Sequence, residues 1–224
     1  MTRGHLSSMK RARKAEDKAI RRTSILGTAR AMFTKSRFEE IKMSEVAERA
    51  GLAKGTVFLY FPTKEALFLD LVEEDMGEWI EELVDRFEVG GRWSPARVAR
   101  VFAETLSARP AFTRLLPLID NVLETNVSVE RIVDFKLTLL GRMAVVSQLL
   151  EKRLELDPGE GGPALTRIYA LLVGLRQITD PCAASQAALA ADPRLAPLDF
   201  DFDAELEAGL TALLIGHCPI GRSS

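Results

Sequence analysis

The chain has 224 residues, 47% of them hydrophobic and 28% charged, enough for a core and a wet surface. No apolar run approaches the ~20 residues that span a bilayer. The basic, polar N-terminus lacks a signal-peptide core, and Cys182 and Cys218 make no disulfide framework, so the expectation is a reduced cytoplasmic protein with no membrane partner. The net charge of −2 hides an asymmetry: residues 1–64 carry fifteen Lys and Arg against six Asp and Glu, residues 65–224 fifteen against twenty-six. A basic first third on an acidic remainder points to a polyanionic partner for the first part alone.

Residues 1–17 read as a flexible basic arm. From Asp17 the pattern turns helical, with Ile20, Ile25, Ala29, Met32 and Phe33 at three- and four-residue spacing, and this helix is expected to end near Ser36. A second short helix places Met43, Val46, Ala47 and Ala50 on one face, and Gly51 closes it. Leu52 and Ala53 make the turn, and a third short helix begins near Lys54. Pro62 stops it. Thr63 then caps a long helix with Leu67, Leu71, Met76, Ile80, Leu83 and Phe87 on its buried side, broken at Gly90-Gly91. Ser94-Pro95 reads as an N-cap with proline at the first helical position, opening a helix to about Ser107. Pro110 opens another through Leu115, Leu116 and Ile119. A long helix, with Ile132, Phe135, Leu139, Met143, Val146 and Leu150 on one side, fills roughly 128–156 until Asp157-Pro158-Gly159. Two more span about 162–178 and 203–216, the last after the proline-rich loop 192–199. No strand shows alternation, so the fold class is all-α, divided as the arm 1–17, a helix-turn-helix domain 18–64 and a helical domain 65–224.

Helix, glycine turn, short helix is the helix-turn-helix arrangement, whose second helix enters the DNA major groove. In "AKGTVFLYF" (53–61), Lys54 brings a charge to the phosphate backbone. Gly55 lets the main chain approach DNA with no Cβ in the way. Thr56 offers a hydroxyl to a phosphate or base and a methyl to thymine. Val57 and Phe61 face the small three-helix core. Phe58 and Leu59 need not, and are left for a second apolar neighbour or for DNA.

Residues 20–67 closely resemble the DNA-binding domain of the tetracycline-repressor (TetR) family of transcriptional regulators. The matching run is "ARAMFTKSRFEEIKMSEVAERAGLAKGTVFLYFPTKEAL", with Val46-Ala47, Ala50-Gly51, Lys54-Gly55-Thr56, Phe58, Tyr60-Phe61 and Lys64-Glu65-Ala66-Leu67 at the family's positions. Three residues depart from the pattern. Lys42 replaces the usual threonine at the start of the second helix, which leaves capping to Ser44. Ala53 stands where serine is common, and Phe58 replaces the usual tyrosine and its hydroxyl. The resemblance implies DNA contacts from Lys42, Ser44, Lys54, Gly55, Thr56, Phe58, Leu59, Tyr60 and Lys64, with the basic arm adding salt-sensitive affinity.

The rest of the chain matches the family in layout and length. The resemblance there implies a ligand-binding and dimerisation domain, with the helices at about 162–178 and 203–216 pairing into a four-helix bundle across a two-fold axis. It implies a repressor released from a near-palindromic operator by a small effector; the mix of candidate pocket residues suggests a mostly apolar one, and no cofactor or metal is expected. Candidate pocket residues are Phe112, Leu116, Ile119, Phe135, Leu139, Met143, Tyr169 and Arg176, with Asn121, Gln177 and Thr179 as further polar groups. An enzyme would need convergent catalytic groups. His5 and His217 are the histidines, no Ser-His-Asp set or phosphate-binding glycine loop is present, and His217-Cys218 is too little for zinc. Cys182 and Cys218 read as structural cysteines, with a thiol sensor as the alternative. The alternative to a DNA-binding regulator is an all-helical interaction module, which steep salt sensitivity would exclude.

Overall fold

A computed structural model describes the backbone of residues 3–218 and the side chains of residues 16–218. It contains ten α-helices: α1 (Arg3–Phe33), α2 (Met43–Arg49), α3 (Lys54–Tyr60), α4 (Lys64–Glu88), α5 (Pro95–Ser107), α6 (Pro110–Leu115), α7 (Val129–Leu154), α8 (Gly161–Thr179), α9 (Ala183–Ala191) and α10 (Phe202–His217). The residues form two compact units, 1–71 with 122–127, and 72–121 with 128–224. The division therefore falls inside α4 at Leu71, beyond the boundary expected after residue 64. No described helix is long and apolar enough to cross a membrane.

The first difference from the sequence reading is α1. It runs as helix from Arg3, through the stretch expected as a flexible arm over 1–17. No proline interrupts 3–33, and its Ala, Lys, Arg and Met favour helix. Once the packed half is helical, each further residue adds a hydrogen bond without a new nucleation cost. The side chains of Arg3, His5, Lys10, Arg11, Arg13 and Lys14 lie outside the described residues, and with them much of the arm's expected contribution to DNA affinity.

In the first unit, Ile25, Leu26, Ala29, Met32 and Phe33 of α1 are buried with Val46 and Ala47 of α2, Val57 of α3, and Leu67, Phe68 and Leu71 of α4. Phe33 and Phe38 both meet the Phe68 ring edge-on, at 5.5 and 5.1 Å, a favoured aromatic geometry. Arg22 of α1 reaches Asp70 of α4 at 2.7 Å. The turn between α2 and α3 depends on Gly51 at φ +67°. Its N–H bonds the Glu48 carbonyl and the Leu52 N–H bonds the Ala47 carbonyl, the Schellman closure of a helix end. Any other residue would be strained there. At the start of α4 the Thr63 hydroxyl accepts from the Ala66 N–H at 3.0 Å and donates to the Asn126 carbonyl at 3.1 Å. The Asn126 amide donates to Glu65 at 3.3 Å, so the short segment 122–127 is tied to the first turn of α4.

The second unit packs α5, α6, α7, α8 and α10 with the rest of α4. The buried Trp79 donates to the Thr105 hydroxyl at 3.1 Å and stands 5.9 Å from the rings of Phe102 and Phe112. Two glycines set close helix crossings. A Cβ on Gly161 would fall 2.2 Å from the Ser147 carbonyl oxygen, and one on Gly209 would fall 3.0 Å from Leu171. After α6 the chain tightens into a 3-10 turn, Leu116–Leu118, and a π-helical turn, Ile119–Leu123. Helix α9, a segment to which the sequence reading assigned no element, has no buried residue.

Candidate DNA-binding face and effector cavity

Helix α3 has an inner and an outer side. Val57 is fully buried and Phe61, just past the helix end, nearly so, which anchors it. On the outer side Leu59 is 84% exposed and Phe58 39%. Burying a leucine is worth ~1.5–3 kcal/mol, and here little of it is collected among the described residues. Lys54 and Gly55 are exposed and Thr56 and Tyr60 are half-buried. The Lys54 ammonium sits 5.8 Å from the Phe58 ring centre, so charge and apolar surface are side by side. A Cβ at Gly55 would meet no atom within 4 Å, and the backbone there is not left-handed. The fold itself gives no reason for a glycine that costs its helix ~1 kcal/mol.

At the start of α2, Lys42 is the N-cap and makes no side-chain cap bond; its ammonium lies 3.8 Å from Glu45. Ser44 is exposed inside the helix rather than at the cap position where it was expected to substitute. Ala53 likewise leaves α3 without a side-chain cap. Lys64 is more occupied than the sequence suggested. Its ammonium donates to the Phe38 carbonyl at 2.7 Å and lies 4.1 Å from the Phe38 ring centre. A lysine has three donors, but one is committed to holding the 3-10 turn Phe38–Glu40 against α4.

The second unit holds a cavity of about 290 Å³, lined by α4, α5, α6, α7 and α8 and the turns after α6. Its wall is apolar apart from Asp120, Lys136, Thr166 and the Tyr169 hydroxyl, which donates to the Leu116 carbonyl at 3.3 Å. Lys136 and Asp120 pair at 3.0 Å with both side chains substantially exposed. Of the expected pocket residues, Phe112, Leu116, Ile119, Leu139, Met143 and Tyr169 line it. Phe135 does not: it is a fully buried core residue. Arg176 does not either. Its guanidinium lies 3.2 Å over the Phe202 ring of α10. Burial pulls its pKa down to about 10, partly offset by Asp203 and Asp180, so it stays charged near neutrality. Asn121 and Gln177 are exposed, and Thr179 bonds back to the Leu175 carbonyl. Trp79, Asp120 and Lys136 were missed. Lys136, Leu139 and Met143 are spaced i, i+3, i+7, which was a legible signal for one helix face. Cys182 is exposed and Cys218 half-buried. Burial pushes the Cys218 thiol pKa up, which makes its thiolate scarce.

A family model described as bacterial regulatory proteins, tetR family, matches residues 25–71, and one described as Tetracyclin repressor-like, C-terminal domain, matches residues 73–219. The chain belongs to the TetR family. This TetR family member is similar to the fatty acid metabolism regulator protein of Bacillus subtilis, 34% identical over 59 residues, which is 26% of this chain and 30% of that one. It is also similar to the HTH-type transcriptional repressor KstR of Mycolicibacterium smegmatis, 35% identical over 77 residues, 34% of this chain and 37% of that one. The alignments thus span well under half of these relatives. Among solved structures, the fatty acid degradation regulator FadR from Bacillus halodurans superposes with a TM-score of 0.58 at 19% identity, over 88% of this chain and 95% of that one. A TetR regulator from Rhodococcus sp. RHA1 gives 0.56 at 21% identity, over 92% and 98%. At such identities the TetR family member shares their fold.

Proposed function

We propose that the protein is a ligand-responsive, sequence-specific DNA-binding transcriptional repressor that acts as a homodimer. The observation that carries this reading is the outer face of α3. It presents Lys54, Gly55, Thr56, Phe58 and Leu59 outward on a helix pinned by Val57 and Phe61. Such a helix suits insertion into the major groove. Lys54 neutralises phosphate, Gly55 allows close backbone approach, Thr56 hydrogen-bonds a phosphate or base edge, and the exposed apolar side chains meet sugars and thymine methyls. Lys42, Ser44, Tyr60 and the remaining donors of Lys64 flank that face and contribute phosphate contacts.

Two such helices on a two-fold dimer read a near-palindromic operator. The dimer forms through α8 and α10. In support, Ala204, Ala208, Ala212 and Ile215 of α10 form an exposed small and apolar stripe, and Ala170 and Ile178 of α8 are exposed. The effector is a small, mostly apolar molecule bound in the cavity of the second unit, its polar end at Asp120, Lys136 and Thr166. An exposed ion pair such as Lys136–Asp120 is worth only ~0–1 kcal/mol, so exchanging one partner for an effector group costs little. The effector favours the conformation that binds the operator less well, and so releases DNA.

The test is selection of fragmented genomic DNA by the purified protein, followed by release assays with small apolar compounds. Enrichment of a few near-palindromic sites that a Thr56→Ala variant no longer selects supports the reading. Diffuse, salt-sensitive retention identical in both proteins refutes it.

A further inference from the structure

A cleft of about 480 Å³ in the second unit lies between the α4–α5 connection and the C-terminal end of α7. It shares no lining residue with the effector cavity. Its wall carries Arg92, Trp93 and Ser94 from the connection and Lys152, Arg153 and Glu155 from the end of α7, three cations against one carboxylate. Part of this cluster serves the fold. Arg153 donates to the Phe87 carbonyl, and Arg97 donates to the Arg92 and Gly90 carbonyls at 2.9 and 3.3 Å. The two guanidinium groups thus satisfy carbonyls at and just beyond the end of α4. Both also lie against the Trp93 ring, Arg97 at 4.1 Å and Arg153 at 5.1 Å from its centre. Other features of the cleft serve no contact in the fold. Arg92 and Lys152 are exposed, and neither pairs with a described carboxylate. The Trp93 indole N–H is buried with no acceptor among the described residues, and so is the Arg153 Nε–H. Buried donors are nearly always paired. Water could satisfy these two, but it would not explain two unpaired cations on the same cleft.

We propose that this cleft binds a phosphate-bearing small molecule, as a second ligand site separate from the effector cavity. A phosphoryl group carries a charge of about −1.5 to −2 and three strong acceptor oxygens. Its charge balances Arg92 and Lys152. The planar Arg92 fork takes two oxygens and the Lys152 ammonium acts as a point charge, which leaves acceptor capacity for Trp93 and Arg153. A monocarboxylate brings half the charge and one oxygen fewer. The cleft is larger than one phosphoryl group fills and lies within the usual range for small-molecule sites, about 300–1,000 Å³. The phosphate therefore belongs to an organic molecule, whose remainder rests against Pro95, Leu154 and Cys218. A bound phosphate bridges Arg92 to Lys152 and fastens the α4–α5 connection to α7. Helix α4 supplies Met76, Trp79 and Ile80 to the effector cavity, and α7 supplies Lys136, Leu139 and Met143. The two ligands thus act on the same pair of helices. The site requires neither the dimer nor the operator.

The test is nuclear magnetic resonance of the full chain labelled at its tryptophan indole nitrogens. The chain has two tryptophans, and Trp79→Phe assigns the two indole N–H signals. The probes are phenyl phosphate, inorganic phosphate, benzoate and sodium chloride, compared at equal ionic strength. The expected result is a saturable shift of the Trp93 signal with phenyl phosphate, half complete at millimolar concentration or below. Inorganic phosphate should need at least threefold more, and benzoate and chloride should not reproduce the shift. Arg92→Gln combined with Lys152→Gln replaces two exposed side chains, so it should keep the wild-type melting temperature and weaken phenyl phosphate binding at least tenfold. A Trp93 signal that stays put, a shift that benzoate or chloride reproduces, or unchanged affinity in the double variant overturns the inference. Inorganic phosphate binding as tightly as the ester overturns the organic ligand.

Discussion

Gly55→Ala separates what α3 needs for folding from what it needs for DNA. The position is helical, is exposed, and has no atom within 4 Å of where a Cβ would stand. Alanine therefore fits without strain. It restricts the unfolded chain and raises helix propensity, for a gain of about 0.5–1 kcal/mol. In a unit of this size 1 kcal/mol shifts Tm by about 4–8 °C, so the first unit should melt about 2–8 °C higher, followed by circular dichroism or by hydrogen exchange of the buried amides near Val57. The same methyl would stand between the α3 backbone and the groove. Operator affinity should fall at least tenfold, about 1.4 kcal/mol, measured by fluorescence anisotropy on the selected site. Stability and binding thus move in opposite directions. A stabilised protein with unchanged affinity would show that DNA does not approach Gly55. A destabilised one would show that the fold, not the ligand, requires the glycine.

The two lysines beside α3 should part company in the same assays. Lys54→Ala is expected to leave stability within ~0.5 kcal/mol and to lower the slope of log affinity against log salt by about 1. Lys64→Ala removes a charged hydrogen bond to the Phe38 carbonyl and a ring contact, so it should cost about 1–2 kcal/mol of stability on denaturant titration. Thr63→Ala should destabilise α4 by about 1 kcal/mol through loss of its cap, while Thr63→Ser, which keeps the hydroxyl, should not. Leu139→Trp fills part of the 290 Å³ cavity. It should keep operator affinity within threefold while compounds that release the wild-type protein from DNA no longer do so.

The first unit was legible in the sequence because its signals are local. Gly51 and Pro62 punctuate the chain, the three-to-four spacing marks α1 and α2, and the five-residue apolar run of α3 exceeds what one face can bury. What the structure changed there was also local: Lys64, an ordinary-looking surface lysine, is committed to Phe38 twenty-six residues earlier in the chain. The cavity was legible only as helix faces. Periodicity placed Phe135, Leu139 and Met143 on the apolar side of α7, but which of them borders empty space depends on how α4 and α8 pack against it, and Phe135 proved to be solid core. Arg176 looked like a polar group awaiting a ligand; its partner is Phe202, brought to it by the α8–α10 contact. Helix α9 was missed because alanines carry no periodic contrast.

A recognition helix that reads sequence must prefer its operator to an unrelated duplex. The most direct test is the ratio of affinities for the selected operator and for a shuffled duplex at physiological salt, in the wild-type protein and in Thr56→Ala. The expected ratio is at least ~10³ for the wild type, falling by tenfold or more in the variant with Tm unchanged. A ratio near one in the wild type, or the same ratio in both proteins, would contradict it.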